Sequence, residues 1–142
     1  METIVLANLF AEALDEEDYP KAAACLAASC VYETPEETYY GPDAIIGSYR
    51  EHGEWAARNL ETVRYESAVR NRSDGEVTVE FLDHIEHAGV AHTYRCEQRL
   101  TFDDLGRISR IKHVDLPGER DRLRLFFRQV GLNRSHISEE NG

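Results

Sequence analysis

The stretch HTYRCEQRLTF, residues 92–102, alternates between two kinds of side chain. The first set is aromatic, apolar or weakly polar and comprises His92, Tyr94, Cys96, Gln98, Leu100 and Phe102. The second set is polar or charged and includes Arg95 and Arg99. Successive side chains of a β-strand point to opposite faces of a sheet, so the stretch predicts a strand whose first set faces inward.

The same two-residue period extends toward the N-terminus. Residues 63–70 place four side chains on one face: Val63, Tyr65, Ser67 and Val69. Residues 77–87 place six side chains on one face: Val77, Val79, Phe81, Asp83, Ile85 and His87. Ser73-Asp74-Gly75 between these segments is a turn sequence that tolerates positive φ. The pattern predicts an antiparallel meander in which Val79, Phe81, Leu100 and Phe102 are buried.

A last strand is predicted for residues 107–116. Ile108 and Ile111 have opposite parity there, so both can be buried only if a bulge or a twist lies between them. With Ile111 inward, His113 and Asp115 point inward as well.

Helical spacing of apolar residues marks the two ends of the chain. We predict helices over Thr3 to Leu14, over the alanine-rich Lys21 to Ser29, from Gly41-Pro42-Asp43 to about Asn59, and over Arg120 to Val130. A short strand at residues 30–34, followed by a polar loop, separates the second helix from the third.

The length of 142 residues and the 42% hydrophobic content fit one globular domain, which we place at residues 1–132 with a polar, flexible tail at 133–142. The net charge of -11 repels polyanions, so nucleic acid is not an expected partner. The acidic run Asp15 to Asp18 is interpreted as a solvated turn. Three cysteines without a Cys-x-x-Cys motif indicate free thiols, and with no recognisable signal peptide or membrane span we expect a cytoplasmic protein.

Two motifs give a resemblance to a known family. Residues 40–46, YGPDAII, begin the third predicted helix, and residues 106–115, GRISRIKHVD, form the last predicted strand. With the order of the elements, they resemble the nuclear transport factor 2-like superfamily in its SnoaL-like branch, which includes ketosteroid isomerase and polyketide cyclases. The resemblance covers about Val5 to Asp115.

That resemblance implies an α+β fold in which a curved antiparallel sheet wraps around the N-terminal helices as a cone, with a C-terminal helix. The open end of such a cone is a pocket for a small molecule. Many family members form homodimers through the outer sheet face, where Thr93, Glu97 and Thr101 are expected here. The first predicted helix carries no tyrosine to serve as an oxyanion donor, and no Asp-Arg-Asp arrangement is visible. The resemblance therefore does not extend to the chemistry of ketosteroid isomerase or limonene epoxide hydrolase.

The inward face is half polar, and buried polar groups need partners that a ligand or water can supply. We predict a small-molecule site lined by aromatic and polar residues: Tyr32, Tyr49, Trp55, Asp83, His87, His92, Tyr94, Cys96, His113 and Asp115. Asp83 is a candidate general acid or base, or alternatively a carboxylate paired with a nearby Arg or His. Asp115 could orient the imidazole of His113, or the two could be ordinary core and strand-end residues.

The remaining candidates have simpler interpretations. His87 and His92 flank a turn and are expected at a rim, and Cys96 is expected to be a buried, inert thiol. Tyr32, Tyr49 and Tyr94 could hold a water or an enolate oxygen, as tyrosines do in the dehydratase and isomerase members. No metal site is predicted, because His84 and His87 lie on opposite faces of a strand and no other ligand set is present.

Two functions remain open. The first is a cofactor-independent acid/base enzyme of isomerase, cyclase or dehydratase type, acting on a small cyclic or carbonyl compound through Asp83, His113 and Asp115. The second is a non-catalytic ligand-binding or dimerisation module of the same fold.

Overall fold

The computed structural model describes residues 2–72 and 74–132. The predicted tail at 133–142 and Ser73 of the predicted turn lie outside the described residues. The elements, in chain order, are α1 (Thr3–Asp15), α2 (Tyr19–Ala24), β1 (Leu26–Glu33), β2 (Thr38–Tyr40), α3 (Pro42–Asn59), β3 (Thr62–Asn71), β4 (Val77–His87), β5 (Val90–Phe102), β6 (Ile108–Asp115) and α4 (Glu119–Gln129). No described helix is long and apolar enough to cross a membrane.

The strands form one curved, six-stranded sheet in the order β2-β1-β6-β5-β4-β3. Strands β3 to β6 are the predicted antiparallel meander, with Phe81 opposite Cys96 and Gln98 opposite His113. One pair departs from the prediction, because β1 runs parallel to β6. The α+β architecture, with N-terminal helices and a C-terminal helix against the sheet, confirms the predicted fold class.

The region between residues 21 and 40 differs most from the prediction. The second helix ends at Ala24 instead of Ser29, and β1 begins at Leu26. Alanine favours helices intrinsically, but Leu26 is buried and pairs with Ile108, so tertiary packing outweighs local propensity here. The predicted loop after β1 contains the short strand β2, which pairs antiparallel with β1.

The predicted irregularity in the last strand is confirmed. Thr101 is paired with Arg110 and Phe102 with Ile108, so Ser109 is the extra residue of a bulge. The bulge places both Ile108 and Ile111 in the core, where each is 0% exposed.

The buried apolar residues of the described chain form two clusters. One surrounds α1 and includes Phe10, Val79 and Leu100. The other lies under α4 and includes Trp55 and Phe127. Phe81 packs against both clusters and is partly buried, as is Phe102, whereas Arg95 is exposed. The predicted inward register is therefore confirmed.

Two leucines provide a matched test of this core. Leu100 is 0% exposed and Leu105, in the turn before β6, is 87% exposed. We expect Leu100→Ala to lower the free energy of unfolding by about 2–5 kcal/mol because it leaves a cavity. Leu105→Ala should change it by less than about 0.5 kcal/mol. Urea unfolding measures both, and equal effects would contradict the assigned strand register.

Candidate functional site

A cavity of about 90 Å³ lies between the inner face of the sheet and the first three helices. Six residues of the predicted site line it: Tyr32, Tyr49, Asp83, Tyr94, Cys96 and His113. Six further lining residues matter for its chemistry: Asp15, Glu17, Tyr19, His52, Tyr65 and Gln98. The cavity therefore combines aromatic walls with a few converging polar groups, as small-molecule sites do.

Asp83 occupies the middle of a row that crosses three strands. Tyr65 of β3 is its register partner on one side and Tyr94 of β5 on the other. Side chains of register partners lie on the same face of an antiparallel sheet, so the carboxylate is flanked by two tyrosines. This row results directly from the two-residue alternation of the three strands.

His52, on the cavity side of α3, is the basic neighbour of Asp83. His52 Nε2 lies 3.8 Å from Asp83 Oδ2, which is beyond hydrogen-bond distance. The two side chains are 22% and 20% exposed, so both are accessible from the cavity mouth.

Asp15, the last residue of α1, brings a second carboxylate to the cavity. Its Oδ2 accepts a hydrogen bond from Ser67 Oγ at 2.6 Å. Burial raises the pKa of the Asp15 carboxyl above its ordinary value, the bond from Ser67 opposes this, and the negative charge of Asp83 raises the pKa further. Asp15 is thus easier to protonate than an exposed aspartate.

Two stacked tyrosines are tied together by an amide. The rings of Tyr32 and Tyr49 stack with centroids 5.2 Å apart. Tyr49 donates its hydroxyl proton to Gln98 Oε1 at 2.6 Å, and Gln98 Nε2 donates to the Tyr32 hydroxyl at 3.0 Å. Burial raises the pKa of both phenols, so both stay protonated at neutral pH.

His113 and Asp115 are in contact at the far side of the cavity. His113 Nε2 lies 2.9 Å from Asp115 Oδ1, and Arg120 Nε lies 3.2 Å from Asp115 Oδ2. Burial alone would favour the protonated acid, but the hydrogen bond from His113 and the charge of Arg120 lower the pKa of Asp115 below its ordinary value. A carboxylate only accepts hydrogen bonds, so Nε2 carries the imidazole proton and Nδ1 is the acceptor in the neutral ring.

Two buried polar atoms beside the cavity have no hydrogen-bond partner in the described part of the chain. They are the Tyr94 hydroxyl and His113 Nδ1. Tyr94 is only 2% exposed, and burial raises the pKa of its phenol, so the hydroxyl keeps its proton. Cys96 is also buried, which raises the pKa of its thiol well above the ordinary value and makes it a poor nucleophile.

Four residues of the predicted site do not line the cavity. Trp55 packs edge-on against Phe127 under α4, and His92 stacks on Phe126 at 5.4 Å. His87 lies near Glu61 at the end of β4, with Nδ1 3.7 Å from Oε1. Asp115 sits behind His113. The alternation predicts which face of a strand a residue occupies but not how far along the strand the cavity extends. Helix α4 covers the end of the sheet where His92 lies.

The additional lining residues had partial sequence signals. Tyr65 and Gln98 lie on strand faces that the alternation marks as inward, and His52 shares a helix face with Tyr49. Asp15 belongs to an acidic run that was interpreted as a solvated turn, and that interpretation is wrong for this residue. No group of three or more His, Cys, Asp or Glu side chains suited to a metal ion occurs among residues 2–72 and 74–132.

Comparison with known proteins gives a family and several structural neighbours. The family model described as SnoaL-like domain matches residues 7–111. No curated protein sequence matches the chain. A proposed polyketide cyclase from Xanthomonas campestris is 16% identical, with a TM-score of 0.65 over 90% of this chain and 96% of that one.

Two further solved structures are similar to the same extent. A proposed polyketide cyclase from Pseudomonas putida is 16% identical, with a TM-score of 0.62 over 84% of this chain and 95% of that one. An LEH-like epoxide hydrolase from M. tuberculosis is 22% identical, with a TM-score of 0.62 over 91% and 96%. At these identities the similarity shows the fold.

Gly53 of α3 leaves room for the side chains at the cavity mouth. A Cβ atom there would lie 2.9 Å from the Tyr19 hydroxyl and 3.1 Å from Glu17 Oε2, whereas one at Gly47 would contact nothing within 4 Å. Gly47→Ala should raise the free energy of unfolding by about 0.5–1 kcal/mol, because alanine is the better helix former. Gly53→Ala should raise the free energy of unfolding by less, because the side chains of Tyr19 and Glu17 must move to make room for the new Cβ atom. Equal gains in urea unfolding would contradict the close approach.

Proposed function

The chain belongs to the SnoaL-like domain family, and we propose that its cavity binds a small cyclic or carbonyl-bearing molecule on which Asp83 acts as a general base. The reaction class is cofactor-independent acid/base chemistry of the isomerase, cyclase or dehydratase type. The fold alone does not fix this activity, so the proposal rests on the lining residues.

The observation that carries the proposal is the environment of Asp83. Its carboxylate lines the cavity between Tyr65 and Tyr94, is 20% exposed, and lies 3.8 Å from His52 Nε2. Asp115, in contrast, is engaged by both His113 and Arg120. A carboxylate that faces the pocket is a better candidate for taking a proton from a bound molecule than one that is tied into a chain of ion pairs.

The proposed step conserves protons. Asp83 removes a proton from a carbon beside the carbonyl. The electron pair of that C–H bond forms a C=C bond, and the negative charge moves to the carbonyl oxygen, which gives an enolate. The Tyr94 hydroxyl is protonated and without a partner in the described chain, which suits it to donate a hydrogen bond to that oxygen. In a β,γ-unsaturated ketone the enolate is a dienolate, and return of the proton to the γ carbon shifts the C=C bond and completes an isomerisation. His52, whose Nε2 lies 3.8 Å from Asp83, and Asp15, which lines the same cavity, are the candidates for relaying the proton.

His113 and Asp115 keep a proposed role in the same site. Asp115 does not line the cavity, and its contact with His113 suits a positioning function in which the carboxylate fixes the ring orientation. His113 would then present its unpartnered Nδ1 as an acceptor for a substrate hydroxyl.

A homodimer formed through the outer sheet face remains part of the proposal, as does a cytoplasmic location. The expected contact residues on that face already have partners within the chain. Thr93 lies 2.9 Å from His84 Nδ1, Glu97 pairs with Arg70 at 3.1 Å, and Thr101 donates to Glu76 at 3.0 Å. A partner chain would therefore meet a polar, pre-ordered surface.

The catalytic proposal can be tested by deuterium exchange. We expect the protein to accelerate deuterium uptake beside the carbonyl of cyclopentanone, or of its 3-amino derivative, followed by NMR in heavy water. Asp83→Asn keeps the shape but removes the base, so it should slow this exchange by about 100-fold, whereas Asp104→Asn in an exposed turn should not. Unchanged exchange in Asp83→Asn would eliminate Asp83 as the base.

The same assay separates the non-catalytic alternative. A binding module would show no acceleration in the wild-type protein, although it would still bind the ketone in a calorimetric titration. That combination would replace the enzyme proposal with the ligand-binding one.

The dimer proposal is tested by light scattering at micromolar concentration. The expected mass is twice the 16.2 kDa of one chain. A mass of 16.2 kDa would instead show a monomer and exclude the outer sheet face as a stable interface.

A further inference from the structure

The charges around the cavity are of one sign. Three carboxylates line it, from Asp15, Glu17 and Asp83, and no Lys or Arg is among its described lining residues. Charges inside a cleft are less screened by water and salt than charges on an open surface. An anionic ligand would therefore be repelled, and a cationic one would be attracted.

The arginines near the cavity are not among its described lining residues. Arg120 forms two hydrogen bonds with Glu36, at 2.6 and 3.1 Å, besides its ion pair with Asp115. Arg50 is exposed and lies over the ring of Tyr19. The two lining histidines, His52 and His113, are cations only when protonated. None of these groups supplies a fixed positive charge to the cavity wall.

The walls themselves suit a cation. Five tyrosines line the cavity, and aromatic faces attract ammonium and guanidinium groups through the ring quadrupole. The molecule already shows one such contact, because the Arg50 guanidinium carbon lies 5.1 Å from the centroid of the Tyr19 ring. The stacked pair of Tyr32 and Tyr49 adds a rigid aromatic wall.

An independent observation indicates that a ligand completes the site. The Tyr94 hydroxyl is buried without a hydrogen-bond partner in the described chain, and so is Nδ1 of His113, whose side chain is 4% exposed. Native proteins pair nearly all their buried polar atoms. Both residues line the same cavity as the carboxylates, so a ligand with a polar group there would provide the missing partner.

We propose that the cavity takes a small organic cation, a protonated amine on a short cyclic or aliphatic body, held between the carboxylates and the tyrosine rings. This assignment deepens the proposed function, because it names the ligand class of the same cavity. The small volume of about 90 Å³ limits the body of the amine to roughly a single small ring.

Three probes that share a ring test the charge preference directly. Cyclopentylamine, cyclopentanol and cyclopentanecarboxylate are titrated calorimetrically at about pH 8, where the amine is protonated and the acid is ionised. We expect the amine to bind about tenfold more tightly than the alcohol, and the carboxylate not to bind at millimolar concentration. Equal or tighter binding of the carboxylate or the alcohol would overturn the proposal, and so would absence of amine binding at millimolar concentration.

Variants locate the preference in the cavity. Asp83→Asn and Glu17→Gln should each weaken amine binding by about three- to tenfold while leaving the alcohol unaffected. Asp104→Asn removes one charge from an exposed turn and should change nothing, which controls for general attraction to an acidic protein. Two variants are used so that poor folding of one leaves a result from the other. Amine binding that is as tight in both variants as in the wild-type protein would overturn the proposal.

These titrations use unreactive probes and are independent of turnover. Amine-selective binding with unchanged deuterium exchange in Asp83→Asn would sustain the ligand class and remove the catalytic role. Carboxylate binding with lost exchange in Asp83→Asn would do the reverse.

Discussion

The buried amide of Gln98 joins the elements that enclose the cavity. It accepts a hydrogen bond from Tyr49 on α3 and donates one to Tyr32 on β1, while its own backbone belongs to β5. Gln98 is 3% exposed, and leaving such a group without partners would cost about 1–3 kcal/mol. The amide thus fixes the distance between helix and sheet at which the tyrosine rings stack. Without that spacing, the apolar side chains of the two layers could close the cavity.

The polar groups of the site fall into two parts, one tied together by short ion pairs and one held less closely. The pair of His113 and Asp115 is anchored from behind by Arg120, which is itself held by Glu36. Such a chain of charge-assisted bonds stabilises one arrangement. At the other side of the cavity, Asp83 Oδ2 lies 3.8 Å from His52 Nε2, which is too far for a hydrogen bond. The first part therefore gives shape to the cavity, and the second is the part that the proposed proton transfer uses.

The sheet was the part of the fold that the sequence predicted best, for a physical reason. A strand with one buried face must alternate, so the parity of Asp83, Tyr94 and His113 followed from the apolar residues around them. The bulge at Ser109 followed from the conflict between Ile108 and Ile111. The predicted helix from Lys21 to Ser29 is correct up to Ala24 and wrong beyond it, because the pairing of Leu26 with Ile108 of β6 outweighs the helix propensity of the alanines. The spacing of residues within a strand or a helix likewise does not show that α4 packs against His92 and Trp55.

Asp15 shows why a site can be hidden inside a solvated pattern. Three of the four acids from residue 15 to 18 are exposed, and only Asp15 is partly buried, where Ser67 of β3 reaches it. The contact joins residues far apart in sequence, so composition cannot distinguish Asp15 from its neighbours. Its burial next to Asp83 places two carboxylates in one cavity, and the charge of Asp83 raises the pKa of the Asp15 carboxyl. A group that relieves this repulsion, whether a proton or a positively charged ligand, is bound more tightly for that reason. The proposed proton transfer and the proposed cation binding thus draw on the same electrostatic feature.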